Sequence, residues 1–229
     1  ILNIWLKFRK DHGREIWDKC REAEGIALEA MADGTGDKEG RALVCQNVGE
    51  AWYYLGNLDK ALEYLKKAYE IASQMKKYGY YRSLTKMLIR THYWRNDLEQ
   101  ARKYGDLYRN RLESDYTECS DLGLSVEELL TRPSTESRQV LYNLFCWSYF
   151  TGRFEAAREY FRLMDRERGM CWWCDEDGCT ELMEARGFLL MLDHKKDEAL
   201  EAFLRADQVI WLGCNKDARM AVKMLEKET

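Results

Sequence analysis

The stretch that decides the fold is Gln46-Asn47-Val48-Gly49-Glu50-Ala51-Trp52-Tyr53-Tyr54-Leu55-Gly56-Asn57-Leu58-Asp59-Lys60-Ala61-Leu62-Glu63-Tyr64-Leu65-Lys66-Lys67-Ala68. Apolar and small residues recur at helical spacing on both sides of Gly56-Asn57, the pattern of two amphipathic helices around a tight turn. Gly49, Ala61 and Ala68 carry little or no side chain. The paired backbones can therefore approach closely where these residues meet.

Position for position, this stretch resembles the tetratricopeptide repeat. Asn47-Val48-Gly49 is similar to its Asn-Leu-Gly, Trp52-Tyr53 to its paired aromatics, and Gly56, Ala61 and Ala68 to its turn glycine and two alanines. Weaker copies follow along the chain. Thr151 to Phe161 and Lys195 to Ala206 repeat the turn and second helix, and Asn96 to Tyr104 is a degenerate version. Cys20 and Ala27 mark a first copy, with Gly13 near its turn. The equivalent small positions Cys20, Ala61, Ala101, Ala157 and Ala199 are 41, 40, 56 and 42 residues apart, longer than the usual repeat of about 34. Together with the entry Gly36-Asp37-Lys38-Glu39-Gly40, this spacing resembles the long-helix repeats of LGN-type adaptors and of bacterial peptide-sensing regulators.

The fold implied is all-α: a right-handed αα-hairpin solenoid of about five repeats with a C-terminal capping helix. The repeats fall at about 1–34, 37–76, 79–113, 135–168 and 179–212. An insertion occupies 114–134, where Ser125-Val126-Glu127-Glu128 should start a short helical turn. A Cys-rich loop spans 169–179, and the cap spans 215–228. Sustained strand alternation is lacking, and Leu, Ala, Glu and Lys dominate, so a sheet is not expected.

Composition narrows the class further. A single Pro among 229 residues argues against a loop-rich β-sandwich. Hydrophobic residues at 46% and aromatics at 13% argue against a disordered chain. A net charge of −4 lacks the basic footprint of a nucleic-acid binder. No run approaches the roughly 18 consecutive apolar residues of a membrane span. The opening residues lack the order of a signal peptide, so a cytoplasmic, reducing setting is expected. The sequence starts at Ile1 rather than Met, which fits a piece of a longer protein.

The resemblance implies that certain positions of each first helix face a concave groove, and that protein or peptide ligands bind there. Those positions here are Asn47, Glu50 and Tyr53 in the second repeat, Lys86, Arg90 and Tyr93 in the third, and Asn143 and Tyr149 in the fourth. A carboxamide offers one peptide unit both a donor and an acceptor, and Lys86 and Arg90 suit a carboxylate. Met87 and Ala185 stand where the third and fifth repeats would carry the Asn. The other reading is that the Asn side chains are solvated and the Tyr stripe is inter-helix packing.

Cys171-Trp172-Trp173-Cys174-Asp175-Glu176-Asp177-Gly178-Cys179 needs its own account. Cys-x2-Cys is the knuckle spacing that puts two thiolates on one tetrahedral metal, and Cys179 adds a third corner. Cys214 ranks first as a fourth ligand, because it follows the fifth repeat on the same edge; Cys119 ranks second. A structural zinc site is one reading of these cysteines, free or redox-labile thiols are another, and an iron–sulfur cluster is a third, although the spacing matches neither common ferredoxin pattern. Cys20 and Cys45 sit at small or apolar repeat positions and read as buried hydrophobes.

No phosphate loop, Gly-x-Ser-x-Gly or His-Glu-x-x-His occurs, so no enzyme is expected. His12, His92 and His194 read as surface or edge residues. Three function classes follow. The first is a non-enzymatic scaffold that binds a protein or peptide in its groove. The second is the sensing half of a larger regulator. The third is a metal- or redox-responsive protein acting through the Cys171–Cys179 loop.

Overall fold

The structure is a computed structural model and describes residues 21–26, 28–29, 37–75, 78–119, 135–166, 180–208 and 216–227. The regular elements among these residues are α-helices, and within each compact unit they pack on their neighbours in sequence, so the all-α class holds. The chain divides into two compact units, Ile1–Asp97 and Leu98–Thr229.

The first unit contains α1 (Lys38–Leu55), α2 (Leu58–Ser73) and α3 (Tyr78–Trp94), preceded by helical residues at 21–26 and 28–29. Asp37 starts α1 by accepting the Gly40 N–H on its side chain at 2.6 Å, which satisfies one of the donors a helix start leaves over. Asn57 does the same for α2 through the Lys60 N–H at 3.2 Å. The buried face of α2 is Ala61, Leu62, Tyr64, Leu65, Ala68 and Ala72, and it packs against α1 on one side and α3 on the other. At Gly49 the two helices leave no room for a side chain: a Cβ there would lie 2.8 Å from Leu65 Cγ. Glu24 ties the first helical segment to α2. Both its oxygens lie 2.8 Å from Lys60 Nζ, and the Tyr64 hydroxyl donates to Oε1 at 3.0 Å. Burial, reinforced by that carboxylate, pushes the Tyr64 hydroxyl above the ordinary phenol range.

The second unit contains α4 (Leu98–Cys119), α5 (Thr135–Phe150), α6 (Phe154–Arg166), α7 (Thr180–Leu192), α8 (Lys196–Gln208) and α9 (Lys216–Lys227). α5 pairs with α6 and α7 with α8; α4 packs on α5, and α9 packs on α8 and α7. The core is a run of rings. Tyr149 lies 4.7 Å from Phe188, 5.4 Å from Phe150 and 5.7 Å from Phe154, and Phe188 lies 4.9 Å from Phe203. Gly187 repeats the role of Gly49, since a Cβ there would meet the Phe203 ring at 2.6 Å. α4 continues past Ser114 to Cys119, into the stretch read from sequence as insertion. The remainder of that insertion, including Ser125 to Glu128, lies outside the described residues, as do Gly13, Cys20 and Ala27 of the first copy.

One turn recurs. Gly56, Asn96, Gly152 and His194 have φ of 79°, 59°, 75° and 58°. At Gly56 the N–H donates to the Tyr53 carbonyl at 2.9 Å and the next N–H, of Asn57, to the Trp52 carbonyl at 3.0 Å. The same pair of bonds forms at Asn96, Gly152 and His194. This is the left-handed helix stop that satisfies the last carbonyls. Glycine adopts it without penalty.

Candidate functional site

The first helices of the hairpins hold the expected groove residues, and the two units present them differently. In the first unit Gln46 and Glu50 stand one turn apart on α1. The Gln46 amide donates to Glu50 Oε1 at 2.9 Å and to Ser83 Oγ of α3 at 3.1 Å. Gln46 and Glu50 are buried, and Asn47 beside them is half-buried. On α3 the residues Ser83, Lys86 and Arg90 follow at helical spacing along one stripe, and all three keep partial exposure. Tyr93 is half-buried and meets the Trp94 ring edge-on at 5.2 Å. α1 and α3 therefore bring the half-buried Asn47 carboxamide, a hydroxyl and two cations to adjoining faces of one unit, whereas Glu50, expected on the groove, is buried against Gln46. Such a set can bind polar backbone groups and a carboxylate at once.

In the second unit the corresponding positions turn inward. Asn143 is 3% exposed, and its Oδ1 has no hydrogen-bond partner among the described residues. Tyr149 is 1% exposed at the centre of the ring cluster. Tyr53 of the first unit is likewise fully buried. The expectation of a tyrosine stripe on an open face is thus corrected for Tyr53 and Tyr149, which are core residues. Helical spacing places them on a side of the helix that packs against its neighbours, and a ring of that size fills the space there.

The residues that sequence reasoning missed lie one step along the same helices. Glu184 on α7 has no exposed surface. Its Oε2 accepts the Tyr142 hydroxyl of α5, and its Oε1 accepts the Ala218 N–H of α9 at 2.5 Å. A signal for this was present. Gln46, Lys86, Tyr142 and Glu184 all precede the left-handed turn residue of their helix by the same interval, and the register is buried at Gln46, Tyr142 and Glu184 and half-buried at Lys86.

His92 also departs from its reading as an edge residue. It is buried, with Nδ1 3.0 Å from Asp97 Oδ2. Burial pushes its imidazole below the ordinary range, and Asp97 pulls the other way. His194 is exposed at its turn, and His12 lies outside the described residues. Cys45 is buried, as expected, and burial raises its thiol. Cys171, Cys174, Cys179 and Cys214 lie outside the described residues, and Cys119 closes α4. Among the described residues no group of three or more His, Cys, Asp or Glu side chains is placed to hold a metal ion. No described helix is long and apolar enough to cross a membrane.

The α1–α2 hairpin, with its glycine turn and its close contact at Gly49, coincides with the match to a family model at residues 42–74. Those residues are similar to a tetratricopeptide repeat. A repeat of this kind suggests a protein-interaction scaffold. No curated protein matches the chain. Among solved structures the chain is similar to BtubC (BKLC) from P. vanneervenii, at 15% identity and a TM-score of 0.53, over 86% of this chain and 75% of that one. This likeness concerns the fold.

Proposed function

We propose that the chain is a non-enzymatic scaffold that binds a protein or peptide segment through the α1 and α3 face of its first unit. The observation that carries this reading is the contrast in exposure. Asn47, Lys86 and Arg90 keep partial exposure on the repeat hairpin and the helix after it, although Glu50 and Tyr53 beside them are buried, while Asn143 and Tyr149 of the second unit are both buried. A ligand backbone would pair with the Asn47 carboxamide, and an acidic group with Lys86 or Arg90. The test is capture of partners from the source cell with the full chain, followed by affinity measurement on Asn47→Ala and Arg90→Ala. Each substitution should weaken binding by about 1–3 kcal/mol and leave helicity unchanged. Unaltered affinity in both variants rejects this face.

A second reading rests on the spacing Cys171-x2-Cys174-x4-Cys179 between α6 and α7. Three thiolates in nine residues, with Cys214 as a fourth, suit one structural zinc. Such a metal would fasten the α6–α7 connection, because its binding free energy becomes folding free energy.

A further inference from the structure

Glu184 joins three helices of the second unit through one side chain, and nothing in the proposed binding role uses it. Its carboxylate is wholly buried, and the donors it meets include the Tyr142 hydroxyl and the Ala218 N–H. A buried carboxylate is retained only where hydrogen bonds offset its desolvation, so this contact is integral to how the unit closes.

The Ala218 N–H belongs to the first turn of α9. The first amides of a helix have no acceptor within it, and the helix dipole favours a negative group at that end. Glu184 supplies both from outside. Among the described residues of α9, Asp217, Ala218, Met220, Ala221 and Leu225 are buried, and the helix packs on α8 and α7. α9 has 12 residues, a length at which an isolated helix is marginal in water. It holds its shape through docking, whereas α5 to α8 form two hairpins that also pack on each other through the ring cluster.

We infer that Glu184 is the docking latch of α9: its carboxylate grips Tyr142 on one side and the first turn of α9 on the other. Losing that grip releases α9 as a unit while α5 to α8 stay folded. Release uncovers the part of the α7–α8 hairpin that Ala218, Ala221 and Leu225 cover. The inference stands apart from the binding face of the first unit and can fail or hold without it.

Hydrogen exchange followed by mass spectrometry on the full chain tests it. In Glu184→Ala the amides of α9 should exchange about tenfold or more faster, as expected when a buried acceptor is lost, and those of α5 to α8 should stay within about twofold. Tyr142→Phe should give a smaller change of the same pattern, since it removes one donor and leaves the α9 amide bond in place. Unchanged α9 exchange overturns the latch, and so does an equal acceleration of α5 to α8. If Glu184→Ala does not fold, Glu184→Gln and Tyr142→Phe decide: selective loosening of α9 supports the latch, and its absence in both variants overturns it.

Discussion

The turn residues show how a single backbone angle ranks side chains. His194 takes the left-handed conformation that Gly56 and Gly152 take in their hairpins, and a residue with a Cβ pays about 1–2 kcal/mol there. His194→Gly should therefore stabilise the protein by about 0.5–1 kcal/mol, the greater freedom of glycine in the unfolded chain offsetting part of the relief; chemical denaturation measures it. Gly187→Ala should do the reverse, because its Cβ would press on the Phe203 ring, and overpacking of that kind costs about 1–3 kcal/mol. His92 gives a pH dependence with a definite sign. Its folded-state value is lowered, chiefly by burial, so the unfolded chain binds the proton more readily. The stability it contributes is complete above its ordinary value of about 6.5. It is lost as pH falls below that value and through the lowered one. Thermal melts across this range should show the decline, and His92→Gln should flatten it. Gly56, Gly152, Ala61 and Ala157 were legible from the sequence, because turn chemistry and close contact leave few residue choices. Tyr53 and Tyr149 were legible only as a choice between groove and inter-helix packing, and packing is what their burial bears out, since helical spacing gives the direction of a side chain but not what lies over it.

Among the elements, α1 and α2 were the most legible, because caps, turn and apolar stripe all agree there. Asp37→Ala should cost about 1 kcal/mol through loss of the α1 cap, read as a lowered denaturation midpoint with unchanged slope. α4 ran further than its sequence suggested. The repeat pattern stops near Ser114, yet Glu113 to Cys119 contains no Pro or Gly, and a helix with no stop signal continues. The docking of α9 was half legible: its apolar side was visible in Ala218, Ala221 and Leu225, but the Glu184 contact joins residues distant in sequence. For the α6–α7 connection, elemental analysis of protein purified without chelator should give one zinc per chain. Cys174→Ser should lose it. Metal-free protein with all three loop thiols titratable would remove the zinc reading.

At the scale of the whole molecule, the repeat count rests on small residues recurring at steps of 40 to 42 with one step of 56, while the division into two units at Asp97 has no counterpart in the sequence. The reason is local. Asn96-Asp97 carries the same turn bonds as the other helix ends, so a unit boundary and an ordinary hairpin turn look alike in sequence. The units also differ in what their first helices offer. The first leaves Asn47, Lys86 and Arg90 partly exposed, and the second buries Asn143, Tyr149 and Glu184. A scaffold built this way should lose its partner when the first unit is altered and keep it when the second is. The most direct measurement is the affinity of the full chain for a captured partner, compared between the combined Asn47→Ala, Lys86→Ala, Arg90→Ala variant and Asn143→Ala, with circular dichroism confirming equal helicity. The combined variant should lose about tenfold or more in affinity, and Asn143→Ala should change little. Full affinity in the combined variant, or a loss confined to Asn143→Ala, would contradict binding through the first unit.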